Sequence, residues 1–186
     1  LVNSAPGGKI TFANASGNLT ANTALTADGD ITLSTPGQFT TLTSPTSANG
    51  SIIIKADNIA LTLPVTANAA GAKVTLQPFN AATAINLGGA DGAGTLGLTQ
   101  TEIDLVTSPT LQIGSAAGTG ALTQTANLTV NPVKAQTLAL VNGGAVTQNA
   151  GTTLSANALD IQAAGTVTLG GTSTIAGVAT LAATGA

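Results

Sequence analysis

The chain has 186 residues and a formal charge of −3 from four Lys and seven acidic residues, with no Arg, His, Cys, Met, Trp or Tyr. Imidazole bases, thiolate nucleophiles, soft-metal sites and guanidinium forks are therefore excluded. The negative charge and only three Phe supply neither the cationic surface nor the stacking platform of a nucleic-acid binder, so no nucleic-acid partner, cofactor or catalysis is expected.

Aliphatic residues are spread evenly through Gly, Ala, Ser, Thr and Asn, which separates the chain from a charged disordered linker. No stretch of about 18 residues is free of Thr, Gly, Asn or Ser, so no transmembrane helix fits. An outer-membrane barrel would need aromatic girdles that are missing here. The opening Leu1-Val2-Asn3-Ser4 has neither a basic nor an apolar leader region, and the chain reads as a mature product or an excised piece.

In chain order, the same start recurs: a Gly, one residue, then an aliphatic residue that opens a short alternating run. Gly8-Lys9-Ile10, Gly29-Asp30-Ile31 and Gly50-Ser51-Ile52 are 21 residues apart, and Gly71 keeps the step before Val74-Thr75-Leu76. Later starts fall at Gly94, Gly120, Gly144 and Gly165, with intervals between 21 and 26 residues. Aliphatic residues two apart with Thr between them mark strands with one wet face. Each unit holds one or two further runs, such as Ile103-Asp104-Leu105, Leu111-Gln112-Ile113, Leu128-Thr129-Val130, Leu138-Ala139-Leu140 and Leu159-Asp160-Ile161. Ser108-Pro109, Asn131-Pro132 and Asn142-Gly143-Gly144 punctuate the gaps as turns. No helical window is expected, because β-branched residues occupy the periodic positions.

The pattern predicts an all-β solenoid of about eight coils over residues 1–186, a single repeat segment stacked at about 4.8 Å into a rod of roughly 38 Å. Ile10, Ile31, Ile52, Val74, Leu96, Leu122, Val146 and Val167 are expected to form one inward column, with Gly at the corner before each. Ala116-Ala117-Gly118-Thr119 is expected to absorb an insertion. An antiparallel sandwich would need more two-residue hairpin signals than Asn142-Gly143 and Asp91-Gly92 provide.

The run Ala84-Ile85-Asn86-Leu87-Gly88-Gly89, then Thr95 to Leu105, then Leu111-Gln112-Ile113-Gly114, resembles the repeat region of filamentous-haemagglutinin-type exoproteins of Gram-negative bacteria. Gly120-Ala121-Leu122-Thr123-Gln124 and Gly144-Ala145-Val146-Thr147-Gln148 are similar to the same family's recurrent start. The resemblance is clearest over residues 84–182. It implies a right-handed parallel β-helix, exported through an outer-membrane transporter by a two-partner or autotransporter route and displayed extracellularly as an adhesive or matrix-forming fibre. Asn131-Pro132 continues as Val133-Lys134, which departs from the family's Asn-Pro-Asn-Gly secretion motif, so the chain resembles stalk repeats and no receptor-binding residue is carried over.

Candidate chemistry is sparse. Glu102 and Asp104, two apart on an expected strand, would share a face as in a polysaccharide-active β-helix enzyme, or serve as surface charge. Asp28-Gly29-Asp30 and Asp91-Gly92 are read as turns, since neither follows a tandem calcium nonapeptide. Gly7-Gly8-Lys9 lacks the rest of a phosphate loop and is expected at a coil corner. Gln124 and Gln148 are expected to form an internal amide ladder, and Asn14, Asn18 and Asn127 lie in Asn-x-Ser/Thr sequences. Thr11, Thr32, Thr75, Thr123, Thr147 and Thr168 are expected to share an outward column, interrupted at Ile53 and Gly97, which leaves an ice-binding face as an alternative to a structural rod. Neither end of the pattern shows a polar cap, so further repeats or end-to-end copies are the expected partners.

Overall fold

The computed structural model describes residues 1–185. The longest ladder stacks eight strands in chain order: Ile10–Ala13, Ile31–Thr41, Ile52–Ala60, Lys73–Gln77, Val106–Ser115, Ala135–Asn142, Ala158–Ala163 and Ala179–Ala183. Every pairing along it is parallel, and the rest of each coil supplies the crossover that parallel strands require. Among the described residues the one antiparallel contact outside the named strands is an isolated bridge between Gly92 and Thr95. The molecule is thus all-β with parallel strands, an arrangement consistent with a β-solenoid.

Alternation fixes which side chains meet. In Ile31–Thr41, Ile31, Leu33 and Thr35 are buried while Thr32 and Ser34 are half-buried on the outer side. Register joins Ile10, Ile31, Ile52, Val74, Leu111, Leu138 and Leu159 in one inward row, and Leu33, Ile54, Leu76, Ile113, Leu140 and Ile161 in the next. Each buried Ile or Leu contributes roughly 1.5–3 kcal/mol by leaving water, and it finds its partners mainly in the layers above and below. One hydrophobic cluster runs from Ile10 to Ala163.

The expected single column divides in two. Ile10, Ile31, Ile52 and Val74 stand on the long ladder, but Leu96, Leu122, Val146 and Val167 belong to a second sheet. That sheet is ordered Thr95–Leu98, Ala84–Leu87, Leu122–Gln124, Val146–Gln148, Val167–Leu169. Above Val74 the long ladder continues with Leu111, 37 residues on. The surplus residues form Ala84–Leu87, double back through residues 88–94 to lay Thr95–Leu98 parallel beside it, and then make the short helix Gln100–Ile103. The Gly-x-aliphatic start marks a corner, and the coil has more than one corner, so the same signature opens two different sheets.

Leu19–Ala21, paired in parallel with Phe39–Thr41, and two smaller ladders complete the wall. Val2–Asn3, Thr26–Ala27, Thr46–Ser47 and Val65–Ala67 stack beneath Val106-Thr107 in the first half. Leu128–Thr129, Thr153–Ala156 and Thr172–Ile175 stack in the second. Corners lie backbone on backbone: a Cβ on Gly50 would fall 2.3 Å from the carbonyl carbon of Gly29, so the residue there must lack one. At these corners close approach, more than bend geometry, is what demands glycine.

Candidate functional site

Glu102 and Asp104 do not share a strand face. Glu102 sits in the helix Gln100–Ile103, Asp104 is its C-cap, and Ile103 between them is buried. Thr99 is the N-cap: its hydroxyl accepts from the Glu102 N–H at 3.4 Å, and Glu102 Oε2 accepts from the Thr99 N–H at 3.0 Å. The second Glu102 oxygen accepts from the Leu61 N–H at 3.3 Å. Asp104 accepts from the Gln100 amide at 2.9 Å. Both carboxylates thus hold local structure, and the pair lacks the shared strand face expected of it.

The doubled-back segment also places Asp91 beside this helix. Asp91 Oδ1 accepts from the Gly97 N–H at 2.8 Å, and the Ile59 N–H donates to the same carboxylate. Partial desolvation, reinforced by the Glu102 charge, pushes the Asp91 carboxyl up to about 6. The two N–H donors oppose that rise, as does the exposure of the residue as a whole. Ile59 and Leu61 lie at the end of Ile52–Ala60, so Asp91 and Glu102 act on one edge, taking N–H groups at a point where no strand continues the ladder. On the opposite side of the helix, Gln100 imitates a strand. Its amide donates to the Thr129 carbonyl and accepts from the Thr129 N–H, both at 2.8 Å.

Asp28 and Asp30 brace corners in the same manner. Asp28 accepts from the Gly7 N–H and the Asn49 amide, each at 2.6 Å. Asp30 pairs with Lys9 at 2.8 Å and accepts from the Ser51 N–H at 3.0 Å. The Lys9 hydrogen bond lowers the Asp30 carboxyl, and Asp30 raises the Lys9 ammonium. Among the described residues no group of three His, Cys, Asp or Glu is gathered as a metal site. Gly7, at φ +69°, and Gly8 precede the strand that opens at Ile10, which puts Gly7-Gly8-Lys9 at a corner.

Gln124 and Gln148 are buried and in register. Their amides reach corner backbone one layer on and not each other: Gln124 donates to the Thr153 carbonyl at 2.8 Å and Gln148 to that of Thr172 at 3.3 Å. Asn142 does comparable work unforeseen from the sequence, donating to the carbonyls of Gly120 and Ala145 at 2.8 and 2.9 Å. Of the Asn-x-Ser/Thr positions, Asn14 is half-buried while Asn18 and Asn127 are exposed. Each side chain is engaged: Asn14 donates to the Asn18 carbonyl, Asn18 accepts from the Gln38 N–H, and Asn127 accepts from the Thr153 N–H.

The expected Thr column also divides. Thr11, Thr32 and Thr75 belong to the long ladder, in a row that passes through Ile53 and continues as Gln112, Ala139 and Asp160. Thr123, Thr147 and Thr168 stack on the second sheet above Asn86. The longest Thr row is another one: Thr26, Thr46, Thr66 and Thr107. Thr26, Thr46 and Thr66 lie just ahead of the starts at Gly29, Gly50 and Gly71.

No protein-family model, curated protein or solved structure matches the chain.

Proposed function

We propose that this chain is a stalk segment of an extracellular bacterial adhesin or surface filament, a right-handed β-helix of about eight coils that bears load and performs no catalysis. The observation that carries the reading is the eight-strand parallel ladder, whose inward rows run through successive layers. Backbone hydrogen bonds directed along the stack make such an object stiff, and repeated layers let it grow without a new core. The resemblance of residues 84–182 to filamentous-haemagglutinin-type repeats supports export and surface display. The absence of Cys and the sparse charge suit a chain that crosses an outer-membrane transporter unfolded and folds layer by layer outside.

Further repeats, or another copy of the chain, would cover the apolar side chains at the two ends of the ladder, where Phe12 is 43% and Leu181 60% exposed. Negative-stain electron microscopy of the purified chain at high concentration tests the reading together with antibody labelling of intact source cells. Elongated particles and labelling at the surface are expected. Compact monodisperse monomers, or antigen found only inside the cells, would remove it.

A further inference from the structure

Along the long ladder, the outer corner that follows the inward rows changes length. After Leu33 it is turned by Pro36-Gly37 within a continuous strand, and after Leu140 it spans residues 143–145 before Val146 opens the next strand. The Ile54 layer keeps a continuous strand, Ile52–Ala60, but in the next two layers the corner swells to residues 78–83 and then to residues 116–121. Loops added to a rigid repeat at one place are where a solenoid acquires a binding surface. These two are also held still. The Ala81 carbonyl accepts from the Thr119 N–H at 2.7 Å, the Gly120 N–H at 3.1 Å and the Thr119 hydroxyl at 3.2 Å. Asp57 anchors the lower loop from beneath, accepting from the Asn80 N–H at 2.7 Å, the Thr83 hydroxyl at 3.1 Å and the Asn80 amide at 3.4 Å.

Between the loops is a cleft of about 200 Å³ that contains Lys55, Gln77, Phe79, Ser115 and Gly118. The three Phe of the chain have different surroundings: Phe39 is in the core, Phe12 is at one end of the ladder, and Phe79 lies half-buried on this side wall. The Lys55 ammonium stands 5.3 Å from the centre of the Phe79 ring. Among the described residues the one ion pair joins Lys9 to Asp30, so no carboxylate pairs with Lys55. Asp57, the nearest acidic residue in sequence, is committed to Asn80 and Thr83.

We infer that this cleft binds one carboxylate-bearing pyranose, a hexuronate unit of an acidic polysaccharide. The half-buried cation takes the carboxylate, the Phe79 ring takes the apolar C–H face of the sugar, and the Ser115 hydroxyl and Gln77 amide take its hydroxyls. The volume accommodates one sugar ring and is too small for a drug-sized ligand. Because the loops are tied before any ligand arrives, little ordering cost is left for binding. The cleft contains no carboxyl group or other acid–base pair, so its role is to bind. The inference needs only this corner and stands whether or not the chain is a filament stalk.

The test is an amide-resolved NMR titration of the intact chain with sodium glucuronate, glucose and sodium acetate at constant ionic strength. Glucuronate should shift the Gln77, Asn80, Ala117 and Gly118 amides saturably, with a dissociation constant of roughly millimolar order. Glucose lacks the charge and acetate lacks the ring, and each should bind about tenfold more weakly or worse. Lys55→Gln and Phe79→Leu should each weaken glucuronate by about tenfold, while Lys9→Ala leaves it unchanged. Lys55→Gln keeps the polar stem on an outward position, so it remains informative if Phe79→Leu fails to fold. Absence of a saturable shift at this corner, acetate matching glucuronate, or Lys55→Gln binding as well as the parent would each overturn the inference.

Discussion

The layers built by residues 10–77 and those built by residues 106–163 share one ladder but reach it differently. In the first group, each step along the inward row from Ile10 through Ile31 and Ile52 to Val74 takes 21 or 22 residues, and short corners suffice. The step to Leu111 takes 37 and the next, to Leu138, takes 27. The long ladder does not register the disturbance, because the pairings that flank it, Val74 with Leu111 and Leu111 with Leu138, run without a shift of register. The extra residues are spent on the rest of the coil, where they add a second sheet, a helix, two enlarged corners and the carboxylates that end a strand edge. The regular layers brace their corners with Asp28 and Asp30, and the break in regularity adds Asp91, Gln100 and Glu102, which hold backbone groups across it.

If that division is right, core damage on either side of residues 88–105 should stay local. Ile54→Ala and Ile161→Ala each remove a fully buried side chain and are expected to cost about 2–5 kcal/mol. Because layers interact mainly with their neighbours, amide exchange should accelerate most in the layers adjoining the substitution and least beyond the helix Gln100–Ile103. Uniform acceleration along the whole ladder in either variant would show that the break does not divide the molecule energetically.

Asn142→Asp probes the corner contacts of the second group and should cost about 3 kcal/mol or more. The Asn142 amide donates to two carbonyl oxygens, and a carboxylate in the same buried place would face both with no proton to offer. Urea denaturation midpoints at pH 7 measure this, with Asn142→Ala as the reference that removes the donor without adding charge. Equal midpoints for the two variants would mean that water reaches the site.

A smaller loss, about 1–2 kcal/mol, is expected for Thr99→Ala, which removes the N-cap of Gln100–Ile103 and frees the Glu102 carboxylate from it. Circular dichroism would hardly register a four-residue helix. Exchange of the Leu61 and Thr129 amides is the appropriate readout, since Glu102 and Gln100 hold them from opposite sides.

The two-residue period was legible because burial of one strand face imposes it residue by residue, as Ile31-Thr32-Leu33 and Leu111-Gln112-Ile113 show. The parallel class followed from recurrence, since a coil can cover its aliphatic residues only with another coil. Assigning each run to its sheet was not legible. A Gly followed by an aliphatic residue describes any tight corner, so Gly94, Gly120, Gly144 and Gly165 looked like continuations of Gly8, Gly29, Gly50 and Gly71. One signal was there to be read: Thr99-Gln100-Thr101-Glu102 has the spacing of a capping box, and it marks the helix that replaces the expected strand at Ile103-Asp104-Leu105. The cleft at Lys55 and Phe79 had no such signal, because its walls lie on different coils. Only the possible insertion at residues 116–119 hinted at it.

The smallest effect expected is also the most specific to the irregular segment. The Asp91 carboxyl is raised by desolvation and by Glu102, so the folded protein holds that proton at pH values where the unfolded chain has released it. The stabilisation it gives is complete below the ordinary carboxylate range near pH 4 and is lost as pH rises through about 6. Asp30, lowered by Lys9, has the opposite sense, and its contribution is lost as pH falls below about 4, outside this window. Asp91→Asn keeps an oxygen for the Gly97 N–H and removes the titration. It should therefore abolish the loss of stability between pH 5 and 7 and leave the variant more stable at pH 7 by at most about 1 kcal/mol, given solvent screening at an exposed residue. Urea midpoints of parent and variant at pH 5 and pH 7 decide it. Should the variant keep the parent's decline, the proton is held elsewhere, and Asp91 serves only as an acceptor for the Gly97 and Ile59 N–H groups.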